Sequence, residues 1–276
     1  MVFNSITGIS EQTAAKVERV KAIFVELHRV VIAFSAGVDS TFLLALAADT
    51  LSAERVLAAM NVSILHPRAD VQEARSLSRA LGVELVEVHG REMEDHRFVA
   101  NDSERCYYCK REVFSSLRRL AELRGFPAVC SGANADDLQD YRPGARAEAE
   151  LGIRQPLQEA GLTKKEIRDV SRAMGLTTAD KPSMACLVSR LPYGQPITPE
   201  RLARVEQAES VLRDMGFEQY RVRDHDTIAR IEVPPADLPR ALERRERLVD
   251  SLRQLGYRYV TLDLQGFRTG SMNEVL

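Results

Sequence analysis

The residues best suited to chemistry lie in the short turn Ser-Ala-Gly-Val-Asp-Ser, from Ser35 to Ser40. An apolar, β-branched run at 30–34 precedes the turn and the apolar stretch 41–46 follows it, which predicts a strand, a turn and a helix in succession. Serine hydroxyls and the free backbone N–H groups of a helix start bind anions, and Gly37 lets the backbone approach the ligand closely. We therefore expect a nucleotide-phosphate site here. It is not a Walker A loop, because no Gly-Lys-Ser/Thr follows.

Cysteines form the second group of reactive side chains. Cys106 and Cys109 are separated by two residues at a predicted junction of loop and helix, and Cys186 lies in a second loop. The spacing alone fits a redox disulfide, a structural zinc site, an iron–sulfur cluster with one iron left open, or two incidental thiols. The sequence shows neither the thioredoxin-like setting typical of a redox disulfide nor the second cysteine pair that is usual at a structural zinc site. Cys130 falls inside a predicted strand and is expected to be a buried small hydrophobe.

The elements that must position these groups alternate between strand and helix. The apolar patterns predict strands at 56–62, 84–88 and 128–131, and helices at 14–28, 68–81, 110–123 and 164–174. This order indicates a parallel sheet covered by helices on both faces, in which ligands bind at the carboxyl ends of the strands. Ser35, Asn61 and Gly132 fall at three such ends, so one pocket could include all three.

The rest of the chain predicts a smaller domain. The Pro/Gly-rich stretch 191–199 is typical of a linker. After it, the patterns predict a helix at 199–215, strands at 220–222 and 228–233, a helix at 236–255 and a strand at 259–262. We therefore expect an α/β protein with two domains, 1–190 and 191–276, the second a small α+β domain. Arg221 and Arg223 alternate along a predicted strand, so their side chains share one face.

Composition narrows the classes of function. The chain of 276 residues is 45% hydrophobic and 28% charged, with a formal net charge of -2, as expected for a globular protein without a strong positive field for nucleic acid. No apolar run approaches the roughly 20 residues of a membrane span. The start of the chain, with Glu11 and Lys16, does not show the apolar core of a signal peptide. We expect a cytoplasmic protein.

The motifs resemble those of a known family. The turn at 35–40 is similar to the PP-loop of the ATP pyrophosphatases, usually Ser-Gly-Gly-x-Asp-Ser, with Ala36 in place of the first glycine. That replacement is tolerable only if the position needs no positive φ. Further motifs occur in order at 104–110, 131–137, 141–144, 180–187, 221–223 and 266–271. Together they look like the LarE family of ATP-dependent sulfur transferases, in a PP-loop (adenine nucleotide α-hydrolase-like) fold.

The resemblance implies an activity. In that family, which helps to make the nickel-pincer nucleotide cofactor of lactate racemase, ATP adenylylates a carboxylate of pyridinium-3,5-biscarboxylic acid mononucleotide and pyrophosphate leaves. Sulfur then converts the activated carboxylate to a thiocarboxylate, and the cycle repeats on the second carboxylate. The expected cofactors are ATP, Mg²⁺ and a [4Fe-4S] cluster.

The resemblance also implies roles for particular residues. Asp39, Ser35 and Cys186 are expected to be catalytic. The expected ATP-binding residues are Ala33, Phe34, Ser35, Gly37, Val38, Asp39, Ser40, Met60 and Gly132, although plain core packing is the better interpretation of the Met60 side chain. The expected contacts of the substrate and its phosphate are Arg221, Arg223, Arg268 and Ser189.

The family has two sources of sulfur. In one type, the cysteine that matches Cys186 gives up its own sulfur and becomes dehydroalanine. In the other, three cysteines that match Cys106, Cys109 and Cys186 hold a [4Fe-4S] cluster whose fourth iron binds an extra sulfide. All three are present in this chain, which favours the cluster, and the sacrificial route remains the alternative.

Three other functions remain open at this point. A tRNA thiolase also combines a PP-loop with cysteines, but the near-neutral charge disfavours it. A synthetase of the NAD or GMP type would leave the three cysteines idle. A regulatory nucleotide-binding protein would bind ATP without releasing pyrophosphate. The expected partners are a small-molecule substrate and further copies of the chain, with neither nucleic acid nor membrane.

Overall fold

The chain forms two compact units. The computed structural model describes residues 8–139, 143–182 and 185–268, so Tyr141, Arg142, Ser183 and Met184 of the expected motifs, and 269–271, lie outside the described residues. The first unit contains 8–63, 68–94, 106–139 and 143–182. The second contains 64–67, 95–105 and 185–268, so two short segments from the first half of the chain belong to it.

The helices and strands follow one another in the expected rhythm. Up to residue 182 the elements are α1 (Glu11–Leu27), β1 (Val30–Ala33), α2 (Val38–Leu51), β2 (Val56–Val62), α3 (Arg68–Leu81), β3 (Glu84–His89), α4 (His96–Val99), α5 (Arg105–Arg124), β4 (Ala128–Cys130), α6 (Pro143–Glu150), α7 (Pro156–Glu159) and α8 (Lys164–Ala173). From residue 185 they are α9 (Pro199–Asp214), β5 (Arg221–His225), β6 (Ile228–Glu232), α10 (Leu238–Glu243), α11 (Arg245–Gln254) and β7 (Tyr259–Leu262).

A four-stranded parallel sheet organises the first unit. Its strand order is β3-β2-β1-β4, with every neighbouring pair parallel. Residues of β1 and β2 alternate between two apolar clusters, one around Phe42 of α2 and one around Phe114 of α5, so both faces of the sheet are covered. This confirms the predicted α/β class. It also places the ends of β1 and β4, two neighbouring strands, side by side at the carboxyl edge.

Two helix starts in the first unit matter for the site. Thr163 caps α8 through a capping box with Glu166, which in turn accepts Lys16 of α1 at 2.7 Å. The helix α5 begins at Arg105, five residues before the predicted start, so Cys106 and Cys109 lie within its first turn rather than in front of it. The five residues from Arg105 to Cys109 are too few to show a helical period by themselves, which is why the sequence pattern placed the boundary too late.

A three-stranded sheet organises the second unit. The strand order is β5-β6-β7, with β5 and β6 antiparallel and β6 and β7 parallel. One apolar cluster joins this sheet to α9, α10 and α11. The predicted single helix at 236–255 is wrong, because it breaks at Arg244, whose side chain donates to the carbonyl of Met215 just after α9.

The Pro/Gly-rich stretch 191–199 does not behave as the predicted linker. The backbone N–H groups of Gly194 and Ile197 donate to the carbonyls of Asn101 and Val99, both at 2.9 Å. The Asn101 side chain, fully buried, donates in return to the carbonyls of Pro192 and Gln195. These bonds satisfy polar backbone groups that a free linker would expose to water, and they make the stretch part of the second unit.

A buried acid lies at the carboxyl edge of the first sheet. Glu92 is only 1% exposed and accepts a hydrogen bond from the Asn61 amide at the end of β2. Its Oε2 and the Asn61 Oδ1 have no hydrogen-bond partner among the described residues. Burial raises the pKa of Glu92 above its ordinary value, with the Asn61 hydrogen bond acting against it.

We expect Glu92→Gln to stabilise the protein at alkaline pH. A raised folded-state pKa means that Glu92 contributes stability while protonated, below its unfolded pKa, and that this stability is lost as pH rises through the folded value. The free energy of unfolding of the variant should therefore exceed that of the wild type by about 1 kcal/mol at pH 8, and not at pH 4. Urea unfolding at both pH values measures this. The control is Glu94→Gln, since Arg91 lowers the pKa of the exposed Glu94 and no gain at pH 8 is expected. Equal stability of Glu92→Gln and wild type across the pH range would contradict the prediction.

Candidate active site

The turn at 35–40 folds around its two serines. The Oγ atoms of Ser35 and Ser40 lie 3.1 Å apart, and the Ser40 Oγ accepts the N–H of Ser35 at 3.3 Å. The N–H of Gly37 points at the Ser35 Oγ, 3.4 Å away, and Gly37 has extended backbone angles as the N-cap of α2. Hydroxyls and N–H groups therefore gather at one helix start, the arrangement that binds a phosphate anion.

Ala36 departs from the sequence-based expectation. From the sequence, alanine is tolerable here only if the position needs no positive φ, yet the φ of Ala36 is 57° and its side chain is fully buried. That condition is not met: this turn needs the left-handed conformation, and alanine, lacking a branched Cβ, adopts it at a cost of about 1–2 kcal/mol. The Lys181 Nζ donates to the Ala36 carbonyl at 3.1 Å and to Glu73 at 2.6 Å, which helps to hold the turn in this shape.

A lysine from the start of α8 completes the charge balance of the turn. The Lys164 Nζ lies 2.5 Å from Oδ2 of Asp39, while the Asp39 Oδ1 is buried with no hydrogen-bond partner among the described residues. Burial raises the pKa of Asp39 above its ordinary value, although the Lys164 ammonium acts in the opposite direction. A carboxylate oxygen that is buried and unsatisfied at an anion-binding turn is suited to a hard cation that accompanies phosphate.

Gly132 approaches the turn closely. A Cβ at this position would lie 3.0 Å from the Ser40 backbone N and 3.3 Å from the Asp39 Cβ, so no other residue fits without moving backbone. By contrast, the side chains of Phe34, Val38 and Met60, expected near ATP, are at most 3% exposed and belong to the core. Only their backbone atoms are available for a nucleotide, as is the case for the backbone around the half-buried Ala33.

The cysteines divide between the two units. Cys106 and Cys109 lie three residues apart in the first turn of α5, on one face of the helix, the first exposed and the second half-buried. Cys186 belongs to the second unit and is also half-buried. Within 8–139, 143–182 and 185–268, no three His, Cys, Asp or Glu side chains are grouped so as to hold a metal ion. Cys130 is fully buried, and burial raises its pKa to about 12, which confirms a packing role for a neutral thiol.

All four residues expected to contact substrate lie in the second unit. Ser189 follows Cys186 by three residues, and its carbonyl accepts a hydrogen bond of 2.9 Å from Nη1 of Arg223. Arg223 is buried and also forms a bidentate ion pair with Glu232, at 2.7 and 3.0 Å. Its charge is therefore largely balanced by the protein, and its visible role is to connect β5 with the loop that bears Cys186.

Arg221 has a different environment. It is 6% exposed, and its guanidinium stacks over the ring of Phe267 at 5.0 Å, next to Arg268 in the chain. Burial, and then the positive charge of Arg190, lower its pKa to about 10. An anion bound next to the Arg221 guanidinium would offset the free-energy cost of keeping it charged in this environment. Arg268 is more exposed, with Asp263 3.9 Å away.

Sequence reasoning missed several residues of the site. Lys164 and Lys181 each contact the turn at 35–40, although they lie more than 120 residues away in the chain. The capping threonine before Lys164 signalled a helix start, but nothing local indicated that this start faces the end of β1. Glu209 is a single acid on a predicted helix, a pattern typical of a solvated side chain, yet it is buried.

Comparisons with known proteins agree with this geometry. The family described as NAD synthase matches residues 13–102, which include the turn and the first three strands. A pyridinium-3,5-bisthiocarboxylic acid mononucleotide synthase of Lactiplantibacillus plantarum is 39% identical over 263 residues, 95% of both chains. An uncharacterized protein of Synechocystis is 40% identical over 95% of this chain and 98% of its own. Another, from Methanocaldococcus jannaschii, is 26% identical over 87% of this chain and 91% of its own.

A parallel sheet that presents such a turn, together with the NAD synthase match, defines an ATP-using enzyme of the PP-loop class. Similarity over nearly the whole length then narrows the class, and the chain belongs to the LarE family. Among the described residues, no helix combines the length and apolar character that a membrane crossing requires.

The backbone of Ala36 can be tested by two substitutions. Ala36→Gly relieves the left-handed strain but frees the unfolded chain, so its free energy of unfolding should stay within about 1 kcal/mol of wild type. Ala36→Val places a β-branched residue at positive φ and should lower that energy by about 2 kcal/mol or more. Denaturant unfolding measures both, with ATP binding as a second readout. A fully stable Ala36→Val variant would show that the turn is not left-handed.

Proposed function

We propose that the protein converts the carboxylates of pyridinium-3,5-biscarboxylic acid mononucleotide to thiocarboxylates at the expense of ATP. The observation that carries this proposal is the 39% identity, over 95% of both chains, to a pyridinium-3,5-bisthiocarboxylic acid mononucleotide synthase. The PP-loop turn supports it independently, because a carboxylate is a poor acyl donor and an acyl-adenylate gives it a good leaving group. On this basis we place the enzyme in nickel-pincer cofactor biosynthesis and lactate racemase maturation.

The first unit would perform the adenylylation. Ser35, Gly37 and Ser40 would hold the departing pyrophosphate through hydroxyl and N–H donors. The unsatisfied Asp39 oxygen fits Mg²⁺, which would neutralise phosphate charge when bound. Lys164 neutralises Asp39 in the ligand-free protein, and it would be free to turn to a phosphate oxygen once a cation takes its place.

The second unit would hold the substrate. Arg221 is the residue on which we place the phosphate of the mononucleotide, since burial and the charges of Arg190 and Arg223 lower its pKa despite the acids Glu209 and Glu232, and an anion would stabilise the guanidinium. Arg268 and Ser189 would add contacts, and Arg223 would keep the strand and the loop together. In this assignment the first unit binds ATP, and the second unit binds substrate and mediates self-association.

One phosphate subsite would serve both rounds of the reaction. The 3- and 5-carboxylates of the pyridinium ring exchange places when the ring rotates by half a turn about its bond to ribose. The phosphate can therefore stay on Arg221 in both rounds while either carboxylate faces the adenylylating site. No second substrate-binding mode is required.

We propose that the sulfur comes from a sulfide on a [4Fe-4S] cluster. Cys106 and Cys109 suit two ligand positions, since they share one helix face and a helix N-terminus favours thiolate. Cys186 of the second unit would be the third ligand. When bound, the cluster would supply an open iron that carries the transferable sulfide. The alternative is donation of the Cys186 sulfur itself, which leaves dehydroalanine.

The substrate assignment can be tested with Arg221→Ala. We expect the affinity of this variant for the mononucleotide to fall about 100-fold and its affinity for ATP to change by less than about twofold. The reason is that, of the two ligands, only the mononucleotide would bind its phosphate to the guanidinium. Binding is measured by calorimetry for each ligand, and turnover by pyrophosphate release and product mass. Arg213→Ala, an exposed arginine on α9, is the matched control, and Asp39→Asn is the inactive reference. Equal weakening of both ligands would remove Arg221 from the phosphate subsite.

The sulfur source can be tested by anaerobic reconstitution. We expect the wild type to bind about four iron atoms per chain with matching acid-labile sulfide, and Cys106→Ala and Cys186→Ala to lose them. Cys130→Ala, which removes only a buried thiol, should keep the cluster. A wild type without iron, together with a fully active Cys106→Ala and an inactive Cys186→Ala, would instead establish the sacrificial route.

A further inference from the structure

The loop that carries Cys186 is fastened by a guanidinium. Arg190 is fully buried, and its Nη1 donates to the carbonyls of Ala185 and Cys186 at 2.6 and 2.9 Å. The Cys186 carbonyl also accepts the Ser189 hydroxyl at 2.9 Å and the Ser189 N–H at 3.1 Å. Three donors therefore converge on the backbone of the one residue that both proposed sulfur routes require.

A buried carboxylate balances the charge of the Arg190 guanidinium. Glu209 of α9 is 5% exposed and forms a bidentate pair with Arg190, Nε to Oε1 and Nη2 to Oε2, both at 2.8 Å. The Glu209 Oε1 also accepts the N–H of Val222 on β5, at 3.1 Å. Because the fork binds the carboxylate with two nitrogens, Nη1 remains for the loop carbonyls. A lysine ammonium could balance the charge of the Glu209 carboxylate, but it could not bind that carboxylate and the loop carbonyls at the same time.

The thiol stays accessible while its backbone is held. On the other side of Cys186, the N–H of Leu187 donates to the carbonyl of Leu65 at 2.9 Å, within the same unit. The Cys186 side chain is nevertheless only half-buried. A group that must deliver an atom to a bound acyl centre gains most when its backbone is fixed and only its side-chain torsion is free.

We propose that Arg190 is a positioning residue for sulfur transfer, whose buried guanidinium sets the location of Cys186 in the second unit. The proposal rests on the proposed function, since the location of this sulfur matters only if the sulfur reacts. Arg223, which holds the Ser189 carbonyl from β5, fastens the same loop to the strand that carries Arg221. The distance between the phosphate subsite at Arg221 and the Cys186 sulfur is then set within the second unit alone.

Arg190→Lys tests the proposal in the full chain. It keeps the positive charge beside Glu209 and loses the fork that reaches the loop carbonyls. Arg204→Lys is the control, because the Nε and Nη2 of Arg204 both donate to Oδ2 of the buried Asp224 in the same unit without touching the loop. If Arg190→Lys does not fold, Arg190→Met combined with Glu209→Gln removes the charges as a pair and retains the acceptor for Val222.

Two readouts separate positioning from general stability. In chelator-treated protein we expect iodoacetamide to modify Cys186 about fivefold faster in Arg190→Lys than in wild type, with Cys106 as the unchanged internal reference, measured by peptide mass spectrometry. In the sulfur-transfer assay we expect kcat to fall about 100-fold, with KM for the mononucleotide changed by less than about threefold and the pyrophosphate burst retained. Arg204→Lys should change neither readout, whatever its melting temperature.

The outcomes that overturn the proposal are distinct from failure of the proposed function. A kcat of Arg190→Lys within about twofold of wild type overturns it, and so does Cys186 modification at the rate of Arg204→Lys. If the wild type does not convert the mononucleotide at all, the proposed function fails. The modification rate then decides alone whether Arg190 holds Cys186.

Discussion

The first unit depends on the close approach of backbone to backbone where the turn at 35–40 meets the end of a parallel sheet. That approach leaves almost no room for side chains. Gly132 has no space for a Cβ because the backbone of Ser40 lies against it. Ala36 adopts a left-handed backbone conformation, which keeps the turn tight. The Lys181 ammonium donates a hydrogen bond to the Ala36 carbonyl, so a charged hydrogen bond stabilises this strained residue in addition to its packing. The same closeness leaves Oδ1 of the half-buried Asp39 out of contact with water, and this desolvation raises the pKa of the carboxyl.

The second unit solves a different problem with buried ion pairs. Glu209, Glu232 and Asp224 are at most 5% exposed, and each is held by one or more arginine side chains. Removing one member of such a pair costs about 3–5 kcal/mol, because the other charge is left without compensation. A purely apolar core would be as stable, so stability alone does not explain these pairs. Their geometry does more, since the Glu209 pair also orients the loop of Cys186.

The order of elements in both units could be predicted because apolar periodicity is a local property. The helix at 68–81 and the strand at 56–62 were predicted at their observed bounds. The start of α5 before residue 110 was not, because its five residues are too few to show a helical period. The stretch 191–199 was misinterpreted for a related reason: proline and glycine indicate irregular backbone, but they do not indicate what that backbone packs against.

The sequence by itself determined the Ser-Ala-Gly-Val-Asp-Ser turn, the parallel sheet that presents it and the spacing of Cys106 and Cys109, since these depend on residue type and near-neighbour spacing. Only the tertiary structure decided that Lys164 pairs with Asp39, that Ala36 is left-handed and that Arg190 holds Cys186. Charge pairing between distant segments and backbone strain both depend on how packed elements meet, and no local pattern records that.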